Sequence, residues 1–449
     1  LGPPQRQPYP PAESSPRLDL LVVGGEVVDP ASGRRGAYDI GARDGRIAAV
    51  AASLPRELAS QVVDARGCLV LPGLVDLHTH ILAGATYWGI DPRPLAWRSG
   101  VTTWVDAGSA GAYNASAFRQ LCASYAPLRS KAFLNISLIG LVAETGEARR
   151  GELCDPGLCA AVLQEHKELF VGVKCRVDRN AVGDMGLEPL RRALRAASVA
   201  GVPVMAHIGA GPPAIGEVLE LLRPGDIVTH CATGQSMSVL APDGRPLPAA
   251  LAARERGVLF DVGHGSGAFS FMVAEAMARF GFFPDIISSD AHQRSILGPG
   301  FDLPTCMSKV LALGMSLEDV VRAVTARPSG VIKEADAGAL EVGHAADFAL
   351  FELQEGDFDL FDVYLEPRRC QRLFVNRATF ASGTLLAPVP PSPPAPWVAL
   401  TASQRALFSR PPEELQRPWA TLLTTADCFV PQDLEGPVVG GTRSTPLET

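Results

Sequence analysis

The chain has 449 residues, 47% of them hydrophobic and 20% charged, with a formal net charge of −8. That length and apolar content support a large α/β domain with a smaller companion, and the lack of a basic stripe or of interleaved basic and aromatic residues argues against nucleic acid as a partner. No apolar run is long enough to span a bilayer, and the nine cysteines, with no CxxC spacing, fit reduced core thiols of a cytoplasmic protein better than a disulfide framework or a zinc knuckle.

The chain starts at Leu1 rather than Met, which leaves room for a targeting segment upstream. Residues 1–17, rich in Pro, Gln and Ser, predict a disordered lead. Residues 20–23, 26–28 and 47–50 read as short strands, the last following a hairpin turn at Arg43-Asp44-Gly45-Arg46. From Leu69 onward apolar runs alternate with helical patterns. Candidate strands cover 69–78, 101–106, 131–139, 170–175, 202–207, 226–231, 257–263 and 285–290, with helices such as 186–200 and 269–280 between them. Eight β–α units in series predict a closed (β/α)8 TIM barrel. The alternative, an open doubly wound sheet, carries a Gly-rich phosphate loop after its first strand, and none is present. Residues 338–342, 347–351 and 372–375 read as further strands. The predicted layout is therefore a small β-sandwich domain from both chain ends (18–68 and 338–385), a barrel over 69–337, and a Pro-rich linker and tail over 386–449. A short helix is expected at 404–409, in a tail that otherwise reads as disordered.

Barrels of this kind react at the C-terminal ends of their strands. The first strand ends in His78 and His80, which share a face because strand side chains alternate. Such a pair can grip one divalent metal, or simply close a core strand. Strand 4 ends in Lys174, strand 5 in His207, strand 6 in His230 and strand 8 in Asp290. Each alone has an ordinary reading; five strands ending in ligand-type residues point together to metal. Histidine, aspartate and an anionic oxygen suit Zn2+, and two ions could share a bridging hydroxide. As an ammonium, Lys174 would repel cations. Carboxylated by CO2 it becomes a carbamate with an oxygen for each ion; an ordinary lysine paired with an acid or solvent is the other reading. Cys175 is the rival bridging ligand, but it belongs to the opposite strand face.

Four more residues are candidates for substrate binding. His264, after strand 7, could bond the substrate or orient loops. His292 could steer Asp290 or touch substrate. Arg176 could pair with a substrate carboxylate or form a rim salt bridge, and Ser109 could be a polar contact or a turn residue. His166 and His344 look peripheral.

The strand PGLVDLHTH at 72–80, with Lys174, His207, His230 and Asp290 in order, resembles the binuclear amidohydrolase superfamily. The resemblance covers about residues 18–385. VDAGSAG at 105–111, PGDIVTHC at 224–231, FDVGHG at 260–265 and SDAH at 289–292 resemble its deacetylase-like, dihydroorotase-related branch. This implies a zinc-dependent hydrolase acting on a small acylated amine or ester through a metal-bridging hydroxide. His78, His80 and Asp290 would hold one Zn2+, His207 and His230 the other, and the carbamate on Lys174 would bridge them. Asp290 would be the catalytic residue that moves the proton. A dihydroorotase-like cyclic amidohydrolase is the nearest alternative. A non-catalytic scaffold is a further one, although all six ligand positions are filled. No membrane or nucleic-acid partner is expected, and a homo-oligomer is compatible with the reading. The Pro-rich extension departs from the family pattern.

Overall fold

Hydrophobic β-branched runs separated by amphipathic helices build seven parallel strands, β1 (Leu74–Thr79), β2 (Val101–Ala107), β3 (Arg129–Asn135), β4 (Phe170–Arg176), β5 (Val204–His207), β6 (Ile227–Thr229) and β7 (Leu259–Asp261). Each pairs with the next in chain order. The computed structural model describes residues 17–398 together with Leu400 and Arg405. The expectations for residues 1–16 and, those two residues apart, for the tail after 398 lie outside the described residues. Among the latter, no helix is long and apolar enough to cross a membrane.

The eighth position departs from the expected regular strand. Residues 285–290 run alongside β7 and β1 but are fixed by isolated parallel bridges, Asp261 with Ile286 and Thr79 with Ala291. The reason is local and polar. Ser288 Oγ donates to Asp261, and the Ser289 amide and hydroxyl both donate to Asp76, so side chains replace ladder bonds. The barrel is closed all the same. Val75, Leu77, Val105, Phe133, Met205, Ile227 and Ile286 fill its interior.

The expected strand 69–78 is two strands. Leu69–Pro72 pairs antiparallel with Phe348–Phe361 and parallel with Glu26–Asp29, outside the barrel. Gly73 makes the break: a Cβ there would lie 2.2 Å from Thr102 Oγ1 and 2.9 Å from Asp347 Cβ. The chain ends build two sheets. One holds Leu18–Val23, Asp39–Arg43, Arg46–Ala51 and Ala59–Asp64. The other orders Thr384–Leu385, Pro367–Ala381, Phe348–Phe361, Leu69–Pro72, Glu26–Asp29 and Arg34–Ala37, so N- and C-terminal segments share it. The predicted strands at 347–351 and 372–375 are parts of its long hairpin. Residues 338–342 form no strand. Leu340 is instead tied by its amide to Asp29 (3.0 Å) and by its carbonyl to Arg34 (3.1 Å). The proline-rich residues 386–398 belong to no helix or strand, close in a turn at Ala395–Val398, and are docked on the barrel.

Candidate metal centre

The period of two in β1 puts His78 and His80 on one face, both buried. Each is oriented through Nδ1. His78 Nδ1 bonds Thr229 Oγ1 at 2.8 Å, and that hydroxyl donates to Asp261 at 2.7 Å. His80 Nδ1 bonds Ser109 Oγ at 2.9 Å, and the Ser109 amide donates to Asp106 at 2.6 Å. With the Thr229 proton committed to Asp261, His78 donates from Nδ1 and presents its Nε2 lone pair inward. The Nε2 atoms of His78 and His80 approach Asp290 Oδ1 at 3.4 and 3.2 Å. That oxygen is buried and has no hydrogen-bond partner among the described residues. One ligand atom from each of the three lies within 4.8 Å of the others. A buried carboxylate oxygen facing imidazole lone pairs is the donor set of a divalent cation.

His207 and His230 lie beside this group; the His230 ring is 5.1 Å from that of His78. His230 Nδ1 donates to the Gly263 carbonyl at 2.6 Å, and His207 Nε2 faces Asp178 at 3.5 Å. Their remaining nitrogens, His230 Nε2 and His207 Nδ1, are 2.7 Å apart. Two lone pairs so close suit a shared cation. Lys174, on β4, is fully buried, with Nζ 3.0 Å from His78 Nε2. The structure thus brings the six expected ligands around one centre. Backbone strain concentrates there too: His230 and Asp290 both hold positive φ, 73° and 48°.

Burial keeps the imidazoles neutral, the form that binds metal. It drives His78 and His207 well below the usual histidine range, aided by the charge of Lys174 for the first and of His230 for the second, and takes His80 to about 3 and His230 to about 4. Burial also lowers the Lys174 ammonium to about 8, against the raising pull of Asp290 and Asp261. Asp261 is pushed up to about 6 by burial, resisted by its bonds from Ser288 and Thr229.

The four substrate candidates divide. His264 is buried, with Nδ1 on the Gly265 carbonyl (2.9 Å), Nε2 on Lys309 Nζ (2.8 Å) and its ring stacked on Phe269. Both nitrogens are engaged, as the loop-orienting one of its two expected readings requires. Arg176 is gripped by Glu147 through two bonds of 2.7 and 2.6 Å and by the Glu144 carbonyl. This is the rim salt bridge of its two expected readings. Ser109 contacts His80, an expected ligand. His292 Nδ1 accepts from the amides of Arg294 (3.2 Å) and Ser295 (3.4 Å), so the proton sits on Nε2, 4.0 Å from Asp290 Oδ2. Sequence reasoning missed Thr229, Asp106, Asp178 and Asp261. The two strand-end acids were a usable signal, but an acid that supports a ligand looks in sequence like one that is a ligand.

A (β/α)8 barrel that gathers four imidazoles, a carboxylate and a buried lysine at the C-terminal ends of its strands defines a metallohydrolase. The chain belongs to the amidohydrolase family, whose sequence profile matches residues 69–384. A deacetylase of Agrobacterium fabrum is 40% identical over 336 residues, spanning 74% of this chain and 83% of that protein. A deacetylase of Enterococcus faecalis is 33% identical over 348 residues, 77% and 92% of the two. Among solved structures, an adenine deaminase matches with a TM-score of 0.77 at 31% identity over 82% of this chain and 99% of that one. A dihydroorotase matches at 0.75 with 37% identity over 82% and 97%. Membership makes the chain a hydrolase of carbon–nitrogen bonds in the deacetylase and dihydroorotase-related branch.

Proposed function

We propose that the protein is a zinc-dependent deacylase that cleaves an acetyl or similar acyl group from a small acylated amine or ester. The observation that carries this is the convergence of His78, His80, Lys174, His207, His230 and Asp290 on one buried centre. His78, His80 and Asp290 would hold one zinc, and His207 and His230 a second. Bound metal supplies a Lewis acid for the acyl carbonyl and a water acidic enough to act near neutral pH. Lys174 would join the two sites as a carbamate. Its lowered pKa supports this, because only the neutral amine adds CO2, releasing a proton as the N–C bond forms. Asp290, which would hold zinc through Oδ1, would take the proton of the attacking water on its carboxylate and return it to the leaving nitrogen or oxygen as the acyl bond breaks. The Nε2–H of His292 lies 4.0 Å from the other oxygen of that carboxylate.

The cyclic-amidohydrolase reading needs a cation to clamp a substrate carboxylate. Arg176, the candidate, is bound twice by Glu147, which favours the deacylase. The test is zinc content with hydrolysis of N-acetyl amino acids, acetyl esters and dihydroorotate. We expect about two zinc per chain and turnover of an acyl compound. Turnover of dihydroorotate alone would overturn the choice. Protein that binds no zinc and hydrolyses nothing after zinc and bicarbonate are supplied would make the chain a scaffold.

A further inference from the structure

The family match ends at residue 384, and the proline-rich segment beyond it has no part in the chemistry described so far. Prolines at 388, 390, 391, 393, 394 and 396 fix φ and remove backbone donors, so the segment joins no sheet, and it ends in a turn from Ala395 to Val398. It is nevertheless tied down along its length. Trp97, on helix α1 (Arg93–Ser99), donates its indole N–H to the Val389 carbonyl at 3.3 Å. The Ala395 amide donates to Gln293 Oε1 at 2.8 Å. The Trp397 ring stacks on Tyr87, with centroids 5.9 Å apart and planes at 24°. Val398 is buried against Leu297.

These contacts lead to the metal centre. Gln293 follows His292 directly, and its own amide group donates to the Tyr87 carbonyl at 3.0 Å while its backbone N–H donates to Trp88 at 3.1 Å. One side chain therefore joins the proline segment to the loop after β1. The rings then run inward: Tyr87 to Trp88 at 4.8 Å, and Trp88 to His292 at 4.7 Å, beside Asp290. Offset and edge-on ring contacts at such separations are attractive. A cavity of about 300 Å3 lies between the segment and the two loops. Without the segment, Gln293 Oε1 would lose the Ala395 N–H it accepts from and Tyr87 its stacked partner Trp397, and the loop that carries Trp88 would have one fewer support.

We propose that residues 387–398 are a positioning strap that holds the Trp88 loop against His292, with Trp397 as its positioning residue, and so sets how substrate is received at the mouth. The inference rests on the hydrolase reading only for its kinetic arm. The experiment compares full-length Trp397→Ala and Trp397→Phe with wild type by hydrogen–deuterium exchange over residues 83–91 and 291–297, and by steady-state kinetics on the best acyl substrate. Trp397→Ala should exchange several-fold faster in both segments, with KM raised about fivefold or more, kcat within about twofold and zinc content unchanged; each tenfold in KM corresponds to about 1.4 kcal/mol. Trp397→Phe, which keeps the stack, should return both readings to wild type. Unchanged exchange in Trp397→Ala would overturn the strap, as would faster exchange with unaltered KM or a Phe variant no better than Ala. A wild-type protein that hydrolyses no acyl compound would instead overturn the proposed function, and the exchange arm would still decide whether the strap holds the loop.

Discussion

Lys174 draws its chemistry from where it is buried. With its pKa at about 8, about a tenth of it is the neutral amine at pH 7, against fewer than about one in a thousand for a lysine near its ordinary value. Adding zinc to metal-free protein at fixed dissolved CO2 should therefore give an activation rate that rises about tenfold per pH unit up to about pH 8 and then levels. A flat profile would remove the carbamate. Lys174→Ala should lose about a hundredfold or more in kcat and part of the zinc, with partial recovery of both in a short carboxylic acid; metal analysis and rates with and without propionate check it. The expected ligands were legible because each closes an apolar run. Their supports were not, because each bond joins separate strands: Thr229 holds His78 across 151 positions and Ser109 holds His80 across 29. No local pattern encodes those pairings. Ser109→Ala should cost about 10–100-fold in zinc affinity or activity, read by competition with a chelator, while the fold persists.

At the scale of elements, periodicity located the barrel strands to within a few residues but hid two changes of role. The run from Leu69 to Leu77 is continuously buried, so hydrophobicity passes through the switch at Gly73, where the chain leaves an end-domain sheet and enters the barrel. The eighth segment reads as a strand, yet Asp76 and Asp261 draw Ser288 and Ser289 out of ladder geometry and turn Asp290 toward the centre. The loop after β7 is shaped to the same end. Gly265 has φ of 55°, and a Cβ on it would lie 2.4 Å from Asp290 Oδ2. Gly265→Ala should displace that carboxylate and cost about 1–2 kcal/mol from its backbone conformation. Activity should fall more than this modest loss of stability explains. Parallel denaturant titration and kinetics would show it, and wild-type turnover in the variant would mean that Asp290 tolerates the shift.

For the whole molecule, the sequence marks both ends as β-rich and leaves open how they meet, since an alternating pattern states which face is apolar and not which strand lies across it. The answer lies partly in single polar side chains that act over the full length of the chain. Asp29 is buried and accepts from the amides of Leu340, 311 positions away, and Ala31, and from the Ser32 hydroxyl. The strand it ends, Glu26–Asp29, also pairs with Leu69–Pro72, which abuts the first barrel strand through Gly73. One carboxylate thus links the amino-terminal hairpin, the segment after the barrel and the root of the strand that carries His78 and His80. Asp29→Ala leaves the buried Leu340 amide unsatisfied and should lower stability by about 1–3 kcal/mol. The denaturant midpoint should fall with an unchanged m value, because the native and unfolded surfaces stay nearly the same. Zinc content and kcat of the folded fraction should match wild type, since Asp29 touches no ligand. Loss of zinc at full stability would instead mean that this staple acts on the metal centre rather than on the union of the chain ends.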